Sequence, residues 1–147
     1  MMKTTRFSAN ARKTFLGFFT VIIMLIIPFT LQAQKIPFIQ SSVVPAADGY
    51  VKINADHNNN HIIEIRIKNM AQIERLDPAM KTYVVWMVTD RETTVNIGQI
   101  NSSKKLNVSF KTVSSFQPIK IFITAEENET TQFPGEKIVL STDNFWK

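Results

Sequence analysis

Asp56, Asn58 and Asn60 stand at the D-x-N-x-N spacing with which a loop can hold a calcium ion. A complete loop of the EF-hand type also needs glycine at its sixth position and a bidentate glutamate at its twelfth. This chain has His61 and Ile67 there, so the last ligand is missing and the segment reads as a polar hairpin turn. His57 and His61 are four apart, a spacing that converges on a metal from one face of a helix but not from a turn and a strand start. They are the only histidines, and the chain has no cysteine. Glu126, Glu127 and Glu129 place three carboxylates in a short stretch, yet no base or nucleophile accompanies them at a defined spacing, so they read as a solvated acidic loop. The four glycines, Gly17, Gly49, Gly98 and Gly135, build neither a G-x-S-x-G elbow nor a phosphate-cradling loop. The expectation is a protein that is not an enzyme, with no catalytic residue, no cofactor and no metal.

The elements that must position these residues are strands. In His61–Lys68, Ile63, Ile65 and Ile67 alternate with Glu64, Arg66 and Lys68, giving one apolar and one wet face. Tyr50–Asn54 alternates less cleanly, and the polar Asp56–Asn60 between the two segments predicts a hairpin. Thr82–Val88 is apolar on both faces and belongs at the centre of a sheet. Val95–Ile100, Leu106–Phe110, Ile119–Thr124 and Lys137–Ser141 complete about seven strands, at the turn spacing of a β-sandwich. Met70, Ile73 and Leu76 are spaced three apart ahead of Asp77-Pro78, which predicts a short helical or irregular crossover between two sheets. Trp86 shares its face with Val84 and Val88, while Tyr83, Val85 and Met87 take the other. Tyr83, Trp86 and Phe122 are expected in the core rather than on a ligand platform. Phe145-Trp146 at the C-terminus is either a contact or a fold-back onto the sandwich.

The first 33 residues read as an address. Lys3, Arg6, Arg12 and Lys13 precede an apolar run from Phe15 to Leu31, and a small residue, Ala33, stands before Gln34, where a signal peptidase would cut. The alternative is an uncleaved anchor with the domain outside. The domain, residues 34–147, is then periplasmic or secreted, stabilised by packing alone in the absence of disulfides. The formal charge of +5 mostly describes the address, because residues 34–147 carry 13 basic and 12 acidic residues. With only Lys104 and Lys105 adjacent among those cations, nucleic acid is not expected as a partner, and membrane contact is expected through residues 15–31 only.

Tyr83-Val84-Val85-Trp86-Met87-Val88 with Gly98 following resembles the Tyr-x-x-Trp strand and glycine of the extracytoplasmic domain of anti-sigma-K factors. Ile121–Glu126 followed by Phe133-Pro134-Gly135 and Lys137–Leu140 resembles that domain's closing pattern, in which a strand ends in Thr-x-Glu and a Pro-x-Gly loop leads into the last strand. The likeness covers about residues 77–142. It implies a β-sandwich outside the membrane and an envelope-signalling context, with no catalytic residue at the matched positions. Only some 14 residues precede the apolar run, so a cytoplasmic sigma-binding domain is not expected and sigma binding is not carried over.

Together these observations predict an all-β, immunoglobulin-like antiparallel sandwich that binds an envelope protein or surface component through its loops. Asp56, His57, Asn58, Asn60 and His61 form one candidate contact loop, and Glu126, Glu127 and Glu129 the other. An adhesin-like or structural subunit of a surface assembly is the alternative.

Overall fold

Alternation of apolar and polar side chains, with turn residues between, produces eight strands among the described residues: β1 (Lys35–Ile39), β2 (Asp48–Ala55), β3 (His61–Lys68), β4 (Thr82–Thr89), β5 (Thr94–Ile100), β6 (Val108–Ser114), β7 (Pro118–Glu126) and β8 (Ile138–Thr142). The computed structural model describes residues 35–101 and 106–145, all within one compact unit that runs from Ala33 to Lys147. Residues 1–34, expected to hold the signal peptide or anchor, and Lys104, Lys105, Trp146 and Lys147 lie outside the described residues.

All the strand pairings are antiparallel, in the order β5-β4-β7-β8-β1-β2-β3-β6. The array folds over into an immunoglobulin-like sandwich whose layers meet at β1. Lys35–Pro37 pair with β2 in the first sheet, and Phe38–Ile39 pair with β8 in the second. β1 is absent from the sequence-based expectation because Pro37 interrupts a run of only five residues. The proline is the last residue of the first ladder, where the strand changes partner, so its missing N–H falls at the end of a ladder rather than in its middle.

The main core lies between the layers. Val51, Ile63, Ile65 and Ile67 of the first sheet meet Tyr83, Val85, Met87, Ile121, Ile123, Val139 and Leu140 of the second. The crossover from β3 to β4 carries the chain between sheets. It contains one 3-10 turn, Ile73–Arg75, with Met70, Ile73 and Leu76 all buried in the core. The three-residue spacing of these apolar positions suits a 3-10 turn, in which residues i and i+3 eclipse.

The side of the sandwich away from β1 is formed by β5 and β6. Here β5 carries a bulge: Val85 pairs with Gly98 and Trp86 with Asn96, leaving Ile97 over. Gly98 has φ 137°, and a Cβ on it would lie 2.8 Å from the Phe110 ring of β6. Only glycine combines that backbone with so close an approach between the two sheets.

Strand direction gives the sandwich two poles. The β2–β3 hairpin turn, the turns after β4 and β6, the start of β1 and the end of β8 share one. The other collects the β1–β2 link, the crossover, the link after β5, and the β7–β8 loop.

Candidate functional site

The β7–β8 loop does not hang free. It is a strap laid across the outward face of the second sheet, held on both sides of Trp86. On one side, Asn96 of β5 faces Trp86 across the ladder. Its amide Nδ2 donates to the carbonyls of Glu129 (3.3 Å) and Thr131 (3.1 Å), while its Oδ1 accepts from Gly98 N–H (3.0 Å). On the other side, Trp86 Nε1 donates to Thr124 Oγ1 at 2.7 Å, and Thr124 Oγ1 donates to Glu126 Oε1 at 2.5 Å. The same carboxylate oxygen accepts Gly135 N–H at 2.7 Å, which closes the strap at its far end. A Cβ at Gly135 would lie 2.7 Å from Glu126 Oε2, so a larger residue there would push the carboxylate aside.

Under the strap Trp86 is fully buried and stacks on Phe122, with ring centroids 6.3 Å apart. With Val84 and Val88 they form a second apolar cluster, separate from the main core that holds Tyr83. Period two explains the split: Tyr83, Val85 and Met87 point between the sheets, and Val84, Trp86 and Val88 point outward. The outward set is covered by eleven residues of loop rather than by another sheet.

Glu126 therefore differs from the expectation of a solvated contact acid. It is the last residue of β7, is 9% exposed, and its side chain is engaged by Thr124 and Gly135. Thr124 and Glu126 share a face because they are two apart on a strand, a signal present in the sequence. Glu127 matches the expected exposure, with an ion pair to Lys81 at 3.3 Å between two solvated side chains, worth little in water. Glu129 is exposed, and it is its backbone carbonyl that Asn96 holds. Asn96, missed in the sequence, is the polar residue paired with a buried tryptophan and could have been sought on that ground.

Internal hydrogen bonds shape the strap. Asn128 Oδ1 accepts from the N–H and the hydroxyl of Thr130, both at 3.0 Å, and the Thr131 hydroxyl donates to the Phe133 carbonyl at 2.9 Å. These turns set Phe133 at 79% exposure, the most exposed of the large apolar side chains among the described residues. At the same pole, Val43, Pro45, Met70, Ala71, Leu106 and Arg75 line a groove of about 420 Å³.

The other candidate loop lies at the opposite pole, so the two do not form one site. Asp56 Oδ1 accepts from the N–H groups of Asn58 (2.7 Å) and Asn60 (2.8 Å), and Oδ2 accepts from Asn60 Nδ2 (2.9 Å). Asn59 takes the left-handed conformation at φ 60°. The carboxylate is thus the staple of a hairpin turn. His57 is exposed, whereas His61 is half-buried at the start of β3, opposite Ala55 and Ser114. Among the described residues no three His, Cys, Asp or Glu side chains cluster as a metal site. At the C-terminus Phe145 folds back, buried, with its N–H donating to the Ile119 carbonyl at 2.7 Å.

The Asn60 side-chain amide, followed by the Asn60 and Asn58 N–H groups, holds the Asp56 carboxyl below its ordinary range. A depressed carboxyl pKa contributes stability that is fully present above the unfolded value, near 4, and is lost as pH falls through the folded value. Asp56→Asn is therefore expected to flatten the acid limb of the stability curve below about pH 5. Urea melts at stepped pH measure this; parallel curves for variant and wild type would reject the staple.

Among the described residues no helix is long and apolar enough to cross a membrane, and the run from Phe15 to Leu31 lies outside them. No family model, curated protein or solved structure matches the chain.

Proposed function

We propose that this protein is an exported, non-catalytic binding or sensory module of the cell envelope, similar to the extracytoplasmic domain of anti-sigma-K factors. The observation that carries the reading is the strap: a loop tied down by Asn96 and Glu126 that holds an apolar side chain, Phe133, in water. Burying a phenylalanine stabilises by roughly 1.5–3 kcal/mol, so a fold that exposes one on a rigid loop holds it ready for a partner. The loop is ordered before binding, which reduces the entropy lost on association.

The residues behind the family resemblance support the same reading. Trp86, Thr124, Glu126 and Gly135 join into one hydrogen-bonded unit, and Gly98 donates to the asparagine that clamps it. Their role is to hold the strap. Its pole is opposite the one at which β1 begins, so a chain tethered through residues 15–31 would present the strap away from the tether.

Crosslinking in intact cells that express the full chain with a C-terminal tag, beside the same chain carrying Phe133→Ala, tests this. A membrane regulator captured by wild type and lost with the variant is the expected result, with the captured chain beginning at Gln34 or anchored in the membrane. Copies of the chain itself would favour an adhesin-like assembly. A cytoplasmic location would sink both.

A further inference from the structure

The first sheet turns its inner side chains to the core, and what its outward face gathers is charge. Along β2, Tyr50 and Lys52 point outward; along β3, Glu64, Arg66 and Lys68; along β6, Lys111; along β1, Lys35. Register sets them side by side. Lys35, Lys52, Glu64 and Lys111 form one row across four strands, and Tyr50 pairs with Arg66 in the next. Five of the 13 cations of residues 34–147 stand here against two carboxylates, Asp48 and Glu64, so the rest of the domain is net acidic.

The two carboxylates offset two of the five cations and leave the face net positive. Lys111 Nζ binds Glu64 Oε1 at 3.1 Å, and Lys111 first, then Lys52 and Arg66, hold the Glu64 carboxyl below its usual range. Asp48 pairs with Lys68 at the far end of the ladder. Lys35 Nζ sits 4.9 Å over the Tyr50 ring. In the row nearest the hairpin pole, Ile62 faces Val113, which is 57% exposed, so an apolar pair borders the cations.

We propose that this outward face is a docking surface for an anionic phospholipid bilayer, its cations on headgroup phosphates and Ile62 and Val113 among the headgroups. The inference rests on the reading of the chain as an exported envelope module, which sets a bilayer beside it. Three observations select this occupant. The cations spread in two dimensions over a four-stranded face rather than along one track, which suits a sheet of headgroups better than a linear polymer. Basic and apolar side chains share the face, the pairing used by proteins that lie on a membrane surface. Lys35 also follows Leu31, the end of the apolar run, by four residues, a chain reach of about 14 Å. Where that run stays in the membrane as an anchor, so short a link keeps the face beside the bilayer, where the surface potential of anionic lipid attracts basic side chains.

Co-sedimentation of the full chain with vesicles of phosphatidylcholine, alone or mixed with phosphatidylglycerol, tests the proposal. Wild type is compared with Lys52→Gln/Arg66→Gln/Lys111→Gln and with Arg75→Gln/Lys81→Gln/Arg91→Gln, which removes equal charge from elsewhere on the domain. The apolar run and its basic head are common to all three chains and cancel in the comparison. The first variant is expected to lose roughly 100-fold in partition onto the phosphatidylglycerol vesicles, at about fivefold per cation, and the second to bind like wild type. High salt should erase the difference. Equal loss in both variants, or no preference of wild type for phosphatidylglycerol, overturns the proposal. Binding of heparin or DNA without vesicle binding overturns it in favour of a soluble polyanion. Circular dichroism confirms that each variant is folded. The vesicle result stands or falls without export, whereas failure of export is read from the cell location.

Discussion

Trp86→Ala is expected to destabilise the domain by about 3–5 kcal/mol, the range for removing a large buried aromatic side chain. The indole is fully buried, stacks on Phe122 and donates to Thr124 Oγ1 at 2.7 Å, so the truncation removes area, a ring contact and a hydrogen bond together. Trp86→Phe keeps the stack and loses the donor and some volume, which places its cost at about 1–3 kcal/mol. Urea unfolding at an unchanged m-value measures both. Location makes a second, sharper expectation. Trp86 lies under the strap and outside the main core, so the alanine variant should speed amide exchange in residues 126–137 more than in β3. A melting temperature equal to wild type would remove Trp86 from the structural core.

Glu126→Ala is expected to cost about 2–4 kcal/mol, because it strands a buried donor, the Thr124 hydroxyl, and a half-buried one, Gly135 N–H, at about 1–3 kcal/mol each at most. Glu126→Gln retains a carbonyl oxygen that can accept from both, so it should fall within about 1 kcal/mol of wild type. The pair of variants separates the hydrogen bonds from the charge. Limited proteolysis gives the second readout: release of Gly135 frees one end of the strap, and cleavage by a glutamate-specific protease after Glu127 or Glu129 should accelerate in the alanine variant alone. If the alanine variant matched wild type in both stability and cleavage, the strap would be held by Asn96 without Glu126.

The strands were legible in the sequence because a strand exposed on one face writes its burial as a period of two. Ile63, Ile65 and Ile67 gave the face of β3, and the unbroken apolar run of Thr82–Val88 gave the central position of β4. The crossover was legible from Met70, Ile73 and Leu76, buried and three apart beside the 3-10 turn. β1 was not legible, since a five-residue strand containing Pro37 carries little periodic signal, and its pairing with both sheets depends on partners more than ten residues away. Glu126 was misplaced by grouping it with Glu127 and Glu129: adjacency in sequence suggested one acidic loop, but the strand ends at Glu126 and turns its side chain under the strap.

Composition and pattern thus determined the class of fold, the apolar and wet faces of most strands, and which pieces of chain were turns. Tertiary structure decided which residues meet. Register across β1, β2, β3 and β6 assembled Lys35, Lys52, Arg66 and Lys111 into one basic face, although Lys104 and Lys105 are the only adjacent cations in the domain's sequence. Folding of the β7–β8 loop onto β5 brought Asn96 to Glu129 and Thr131, over thirty positions along the chain. The physical reason is common to both cases. Burial of a side chain is read from its immediate neighbours along a strand, whereas electrostatic and hydrogen-bonding partners are supplied by strand order and register, which no local pattern encodes.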